Sequence, residues 1–343
     1  MTLKKEVLTI ITEKFCNVIE DVQEVTLVGY YGRNNLGDDL MLKNIVGILL
    51  EKNIRVNVMS FGSVDWLDES VNVCLWGDTK LQKIRNFNRT TKKSSIIIFG
   101  GGTCFTDEDG DGFFKFMSLS KLKKKRIAYI GVGIGNLKRK QSKLKTKHLI
   151  NVSDYISFRD EKSYNIAKKF KKSSIESIEI VEDPANKLLE KYSLSNQNVE
   201  SSGLVVAWRN LERYSDTTIG NDVNTISNFI LAVCKDHCIH KIVIIDTDSY
   251  FDSTISKNIY ETLKKNKKVD VVYSKKENFE EKLNILNCSN VIITSRLHVA
   301  VASKYINKPC YVYDYSPKIK YFVENEDTAN IKLISNQKIL EYV

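Results

Sequence analysis

A chain of 343 residues, 42% hydrophobic and with a formal net charge of +10, reads as a globular protein long enough for two domains. Its longest apolar runs, Ser95–Phe99 and Ile242–Ile245 among them, are far too short to cross a bilayer, and Lys4 and Lys5 followed by a brief apolar stretch and Glu13 do not make a secretory signal. Seven scattered cysteines favour reduced thiols over a disulfide framework, so the expected location is the cytoplasm.

Apolar β-rich runs alternate with amphipathic helical stretches along the chain. In the first half, strands are expected at Glu24–Tyr30, Arg55–Ser60, Ser95–Phe99, Arg126–Val132, Tyr155–Phe158 and Ser177–Val181. Helical patterns fall between them, for example at Asp38–Glu51 and Glu161–Lys169. The polar stretch Lys191–Ser202 reads as a linker. The alternation then restarts, with strands at Leu204–Trp208, Lys241–Asp246, Val269–Tyr273, Asn290–Thr294 and Cys310–Tyr313. Helices are expected at Asp222–Lys235, Asp252–Lys265, Glu277–Leu286 and Leu297–Ile306. Regular β-α alternation predicts an α/β protein with parallel sheets covered by helices. The expected architecture is two Rossmann-like domains facing across a cleft, GT-B-like, at residues 1–192 and 203–320. Residues 321–343 form a C-terminal extension whose helix, Asn336–Tyr342, is expected to pack back on the first domain.

Two glycine loops follow strands in the first half. Gly29-Tyr30-Tyr31-Gly32, continuing to Asn35-Leu36-Gly37-Asp38-Asp39, has neither the dinucleotide spacing nor a Walker lysine. Asp38 and Asp39 stand where a phosphate would sit against a helix N-terminus. The loop therefore suits sugar hydroxyls, with Asn35 and an aspartate as partners; helix capping is the plainer role for either aspartate. Phe99-Gly100-Gly101-Gly102-Thr103 places three glycines past a buried strand, which is costly unless something approaches closely. Asn35, Asp38, Gly101, Gly102 and Thr103 are the candidate acceptor contacts.

The run Asp107–Asp111 opens like an EF-hand loop but has Ser118 where the bidentate glutamate belongs, so it reads as a solvated or acceptor-facing acidic loop. Cys234–His240 crowds zinc-type ligands too closely to wrap a tetrahedral ion, and no metal is expected. No nucleophile elbow of the G-x-S-x-G type occurs. Between Asp111 and Asp154 there is no acidic residue, and the lysines of Lys121–Lys147 crowd that stretch. Two readings stand for it: attraction to anionic lipid headgroups or a lipid diphosphate, or a solvated lysine-rich face. Nucleic acid is disfavoured, because stacking aromatics and a recognised module are lacking.

Three strands end in arginine: Arg159, Arg209 and Arg296. Open α/β sheets bind ligands at the carboxyl ends of their strands. A guanidinium there can grip a carboxylate or phosphate with two hydrogen bonds. His298, two residues past Arg296, can move a proton near neutral pH. Together these residues ask for a small, multiply charged anion.

The ordered motifs resemble the polysaccharide pyruvyltransferase family. The likeness rests on Gly29-Tyr30-Tyr31-Gly32 with Asn35-Leu36-Gly37-Asp38, on Phe99-Gly100-Gly101-Gly102, and on Ser157-Phe158-Arg159-Asp160 with Ser163. It continues through Asp183-Pro184-Ala185, Ser295-Arg296-Leu297-His298, Pro309 and Tyr315-Ser316-Pro317-Lys318, spanning about residues 25 to 322. The resemblance implies a GT-B-type enzyme that transfers pyruvate from phosphoenolpyruvate to a sugar as a ketal and releases phosphate. The implied acceptor belongs to a surface-polysaccharide precursor, capsular or exopolysaccharide, carried on a polyprenyl diphosphate at the inner membrane face. Phosphoenolpyruvate enters as donor substrate, with no separate cofactor. Catalysis falls to His298, as general acid or base, and to Arg296; donor binding falls to Arg159, Arg209, Ser295, Arg296, Leu297 and His298. Peripheral membrane contact is expected through Lys121–Lys147.

Two rival readings are a GT-B glycosyltransferase using a nucleotide sugar, with Glu277, Glu280 or Glu281 on the ribose, and a catalytically silent saccharide-binding relative. Retention of Arg159, Arg296 and His298 argues against the second.

Overall fold

Runs that are apolar on every residue make strands buried on both faces, and they organise two sheets here, one parallel throughout and the other parallel but for one short antiparallel pair. The computed structural model describes residues 12–108, 110–171, 178–195, 203–214, 218–275, 278–325 and 328–341. Two compact units emerge: Met1–Gly32 with Asp38–Leu188, and Arg33–Gly37 with Leu189–Val343.

The first unit begins with α1 (Glu13–Ile19), β1 (Glu24–Val28), α2 (Leu36–Glu51), β2 (Arg55–Ser60), β3 (Asn72–Leu75) and α3 (Lys80–Thr90). It continues through β4 (Ile96–Gly100), β5 (Thr103–Thr106), β6 (Gly110–Asp111), α4 (Phe114–Leu122), β7 (Arg126–Ile134) and α5 (Lys140–Val152). Then come β8 (Tyr155–Phe158), α6 (Glu161–Phe170), β9 (Ile178–Ile180) and α7 (Asn186–Ser195), whose residues from Leu189 on are counted with the second unit. The nine-stranded sheet runs β3-β2-β1-β4-β7-β5-β6, with β8 on β7 and β9 on β8. Central β4 is wholly buried, and Ile96, Ile97 and Ile98 align with Val25, Thr26 and Leu27 of β1.

Gly101 and Gly102 take φ of +75° and +81°, which only glycine adopts at little cost. They kink the chain so that β5 resumes along the same neighbour, β7, that β4 has just left. Gly101 N–H donates to the Ile130 carbonyl at 2.8 Å and Gly133 N–H to that of Gly102 at 2.9 Å. The glycine run thus has a structural cause in strand continuation.

The second unit carries β10 (Leu204–Ala207), α8 (Thr218–Asn221), α9 (Val223–Asp236), β11 (Lys241–Ile245), α10 (Ser253–Leu263) and β12 (Asp270–Ser274). It ends with α11 (Phe279–Asn287), β13 (Val291–Thr294), α12 (Leu297–Tyr305), β14 (Cys310–Tyr313), α13 (Pro317–Asn325), β15 (Ile331–Ile334) and α14 (Asn336–Leu340). Its six-stranded sheet is ordered β12-β11-β10-β13-β14-β15, parallel throughout.

Two expectations need correction. Lys191–Ser195, read as linker, is the end of α7; a helix explains its polar side chains as an exposed face, and residues 196–202 lie outside the described residues. The terminal helix, expected to pack on the first domain, is part of the second unit. Ile339 of α14 is fully buried in the second unit's core beside Ile334, and α14 packs on α9.

Candidate functional site

Four neighbouring strands of the second sheet, β11, β10, β13 and β14, deliver polar side chains just past their carboxyl ends. These are Asp246 and Asp248, Arg209, Ser295 with Arg296, and Tyr315. Hydrogen bonds lock the ends together. Arg209 N–H donates to Ser295 Oγ at 2.7 Å, Thr294 Oγ1 donates to the Ala207 carbonyl at 2.8 Å, and Arg296 N–H donates to Thr294 Oγ1 at 2.9 Å.

Arg296 is only 8% exposed. Its Nε donates to Asp252 Oδ2 at 3.0 Å, its Nη2 donates to the other Asp252 oxygen, and Asp248 Oδ2 lies 3.7 Å from Nη2. A buried cation needs such a partner, since an uncompensated charge in low dielectric is expensive. Burial lifts the Asp252 carboxyl above its ordinary range, with Arg296 opposing. Among the described residues Nη1 has no hydrogen-bond partner, so one edge of the guanidinium is left for a ligand. Arg209, also 8% exposed, points Nη1 at Tyr315 Oη (3.3 Å) and lays its guanidinium 5.0 Å from the Tyr214 ring centroid.

His298, second residue of α12, is half-buried. Its ring occupies the space a side chain would need at Gly37: a Cβ there would stand 2.0 Å from Nδ1. The segment supplying Gly37 is held from several sides of the same unit. Leu36 N–H donates to the Thr247 carbonyl at 3.0 Å, Ser249 N–H to that of Arg33 at 3.1 Å, and the buried Lys282 ammonium to that of Asn34 at 2.5 Å. Asn35 accepts from Gly37 N–H and donates to Asp248 Oδ2, both at 3.1 Å. Asn35, expected to meet acceptor sugar, is thus bonded to the carboxylate beside Arg296.

The first unit gathers a separate group. Arg159 pairs with Asp183 at 2.7 Å and donates to Thr103 Oγ1 at 3.1 Å, its side chain 8% exposed. Its neighbour Asp160 instead caps α6, accepting from Ser163 N–H at 2.7 Å. Gly102 N–H reaches Met41 Sδ at 3.2 Å, and a Cβ on Gly102 would sit 3.2 Å from Asp38 Oδ1. Arg159, Asp38, Gly101, Gly102 and Thr103 therefore belong to this unit, while Asn35, Arg209, Ser295, Arg296, Leu297 and His298 belong to the other.

Sequence reasoning missed Asp248, Asp252 and Tyr315 as members of the constellation. Asp248 follows β11 closely, much as the arginines follow their strands, and that position was the available signal; Asp252, at the N-cap of α10, offered none. Other expectations change character. Asp107 Oδ2 accepts from the backbone N–H of Lys138 (2.6 Å) and Arg139 (2.9 Å), Glu108 accepts from Asn136, and Asp111 pairs with Lys145 at 2.8 Å. The acidic loop is thus engaged by its own chain; Asp109 lies outside the described residues. Cys234 is buried on α9 whereas Cys238 and His240 are exposed, so the crowded ligands diverge. Glu281 is spent on the capping box of α11 with Asn278, and Glu277 lies outside the described residues.

Comparison with known proteins adds two results. The sequence matches the family described as polysaccharide pyruvyl transferase over residues 35–317. No curated protein matches by sequence. Solved structures similar to the chain include the MnaA–UDP co-structure from S. aureus, with TM-score 0.67 and 11% identity over 93% of this chain and 86% of that one. UDP-GlcNAc 2-epimerase from Neisseria meningitidis bound to UDP-GlcNAc gives 0.65 and 13%, covering 93% and 89%. The Methanocaldococcus jannaschii UDP-GlcNAc 2-epimerase with UDP-GlcNAc and UDP gives 0.64 and 13%, covering 93% and 91%. At such identities the likeness establishes the fold: α/β, with two Rossmann-like units of the GT-B type.

Proposed function

The chain belongs to the polysaccharide pyruvyl transferase family and is a pyruvyltransferase acting on saccharide; from that premise we propose that its donor is phosphoenolpyruvate and that the second unit binds it. The observation that carries this reading is the pair Arg209 and Arg296 on adjacent strand ends, locked through Ser295, with His298 on the helix that follows. A donor bearing both a carboxylate and a phosphate requires more than one cation, and Arg209, Arg296 and Lys318 supply three. Arg159 is left out of this donor set because its guanidinium is committed to Asp183 and Thr103 in the first unit. Asp38 and Thr103 are the acceptor-hydroxyl candidates of that unit, with Gly101 and Gly102 shaping the backbone beside them.

In the reaction, the donor's methylene carbon takes a proton and the adjacent carbon becomes electron-poor. One acceptor hydroxyl adds there, phosphate departs with the electron pair of its C–O bond, and a second hydroxyl closes the ketal. The arginines favour the charge gathering on the departing phosphate, and His298 receives a hydroxyl proton.

The rival donor is a nucleotide sugar, suggested by the UDP-bound neighbours. Incubation with saccharide and either phosphoenolpyruvate or UDP-sugars separates the two. Phosphate release is expected with the former alone, and His298→Ala should abolish it while leaving the thermal melt in place. Release of UDP would overturn the donor assignment.

We also place a polyprenyl-diphosphate-linked acceptor at the cytoplasmic membrane face, met by the surface around α4 and α5. Leu122 is 81% and Leu144 58% exposed amid Lys124, Lys140 and Lys143, an apolar-and-basic mixture that suits anionic headgroups. Lys121 and Lys145 contribute less, being paired with Asp154 and Asp111. Among the described residues no helix is long and apolar enough to cross a membrane. Co-sedimentation with phosphatidylserine vesicles, weakening as salt rises, is expected; equal retention on neutral vesicles would remove the electrostatic part.

A further inference from the structure

Tyr315 is a proton-bearing side chain of the strand-end constellation that the reaction above leaves unused. It follows β14 by two residues and lies just before α13, among cations. Arg209 reaches it from the end of β10, Arg296 from the end of β13 and Lys318 from the first turn of α13. The Tyr214 ring meets it edge-on at 4.9 Å between centroids, and Asp252 and Asp248 stand behind Arg296. Its phenol oxygen accepts from Arg209 Nη1 at 3.3 Å. Among the described residues its own O–H donates to nothing, so that proton is available to a ligand.

Resting on the phosphoenolpyruvate reading, we propose that Tyr315 is the acid that delivers the proton to the donor's methylene carbon. The O–H bond breaks as the double-bond pair forms the new C–H bond, turning methylene into methyl and leaving the adjacent carbon to the acceptor oxygen. The first hydroxyl's proton passes to His298 and leaves with phosphate. The second hydroxyl's proton returns to the Tyr315 phenolate as the ketal closes. Two hydroxyl protons are thus consumed, one in the methyl group and one on phosphate, and both side chains are restored.

The electrostatics support the assignment. Burial alone would raise the phenol's ionisation, but Lys318, Arg209 and Arg296 outweigh it and hold it below the ordinary value. A bound trianion offsets those cations and moves the ionisation back up, which favours the O–H form when the donor is in place.

Two measurements test this. Phenolate absorbance titrated in wild type and in Tyr315→Phe should differ by one phenol ionising below about 10, moving upward when inorganic phosphate or phosphoenolpyruvate is added. In the phosphate-release assay Tyr315→Phe should lower kcat by about 10²–10⁴-fold with a KM change under about tenfold, and should lose the alkaline limb of the pH profile. Lys318→Gln keeps the phenol and should move that limb to higher pH, which decides the matter if Tyr315→Phe melts early. An unchanged kcat, or an alkaline limb that survives in Tyr315→Phe, overturns the proposal while leaving the donor reading intact. Wild-type protein that releases no phosphate from phosphoenolpyruvate overturns the donor reading itself, and this role with it.

Discussion

Arg296 shows what a single position in a sequence discloses and what it conceals. Its place past a buried strand marked it as an anion ligand, and Nη1 does remain open among the described residues. What position could not disclose is that the remaining edge is gripped by Asp252, separated by 44 residues in the chain. The carboxylate was illegible because Asp252 reads as an ordinary residue at the start of a helix; only the parallel pairing of β10 with β11 and β13 brings the two together. The consequence concerns stability before activity. Asp252→Ala strands a buried guanidinium, and a loss of about 3–5 kcal/mol is expected in urea unfolding. A loss under about 1 kcal/mol would mean that Arg296 finds solvent or Asp248 instead. Arg159 gives a parallel lesson: the adjacent Asp160 caps a helix, and it is Asp183, 24 residues on, that takes the charge.

Elements with apolar, β-branched runs were readable because burial on both faces leaves little else for such runs to do: β2, β8 and β14 fall at the expected bounds. Others carried no such mark. β3 is an exposed edge with pattern and length too slight to notice, and β5 exists because two left-handed glycines return the chain to β7. The N-terminal approach to α5 is capped from a distance by Asp107, which no local motif announces. The start of α2 is the most consequential element for the site. Gly37 there was legible as a loop glycine, but its close contact with the His298 ring was not. Gly37→Ala places a methyl where Nδ1 stands and must displace the imidazole, a flexible group whose shift spares the fold. Turnover is expected to drop by about 10²-fold with a melting temperature within a few degrees of wild type. Activity equal to wild type would show that the ring's present position is not the working one.

For the whole molecule, the sequence carried class and family more firmly than partners. Alternating strands and helices specify parallel sheets, and solved structures only 11% to 13% identical keep the same fold, because buried apolar patterning tolerates wholesale exchange of residues. Some positions admit no such exchange: at Gly32 (φ +74°) a Cβ would meet Ser60 Oγ at 2.1 Å, so the backbone there demands glycine. The acceptor sugar leaves no such imprint, because the polar groups proposed to meet its hydroxyls, Asp38 and Thr103, also serve the fold. The central claim is therefore best met by mass spectrometry of lipid-linked saccharides incubated with the protein and phosphoenolpyruvate. The account predicts one product heavier by a single pyruvate ketal, formed with one phosphate released per molecule and absent with His298→Ala. Addition of a sugar from a nucleotide donor, with phosphoenolpyruvate untouched, would contradict it.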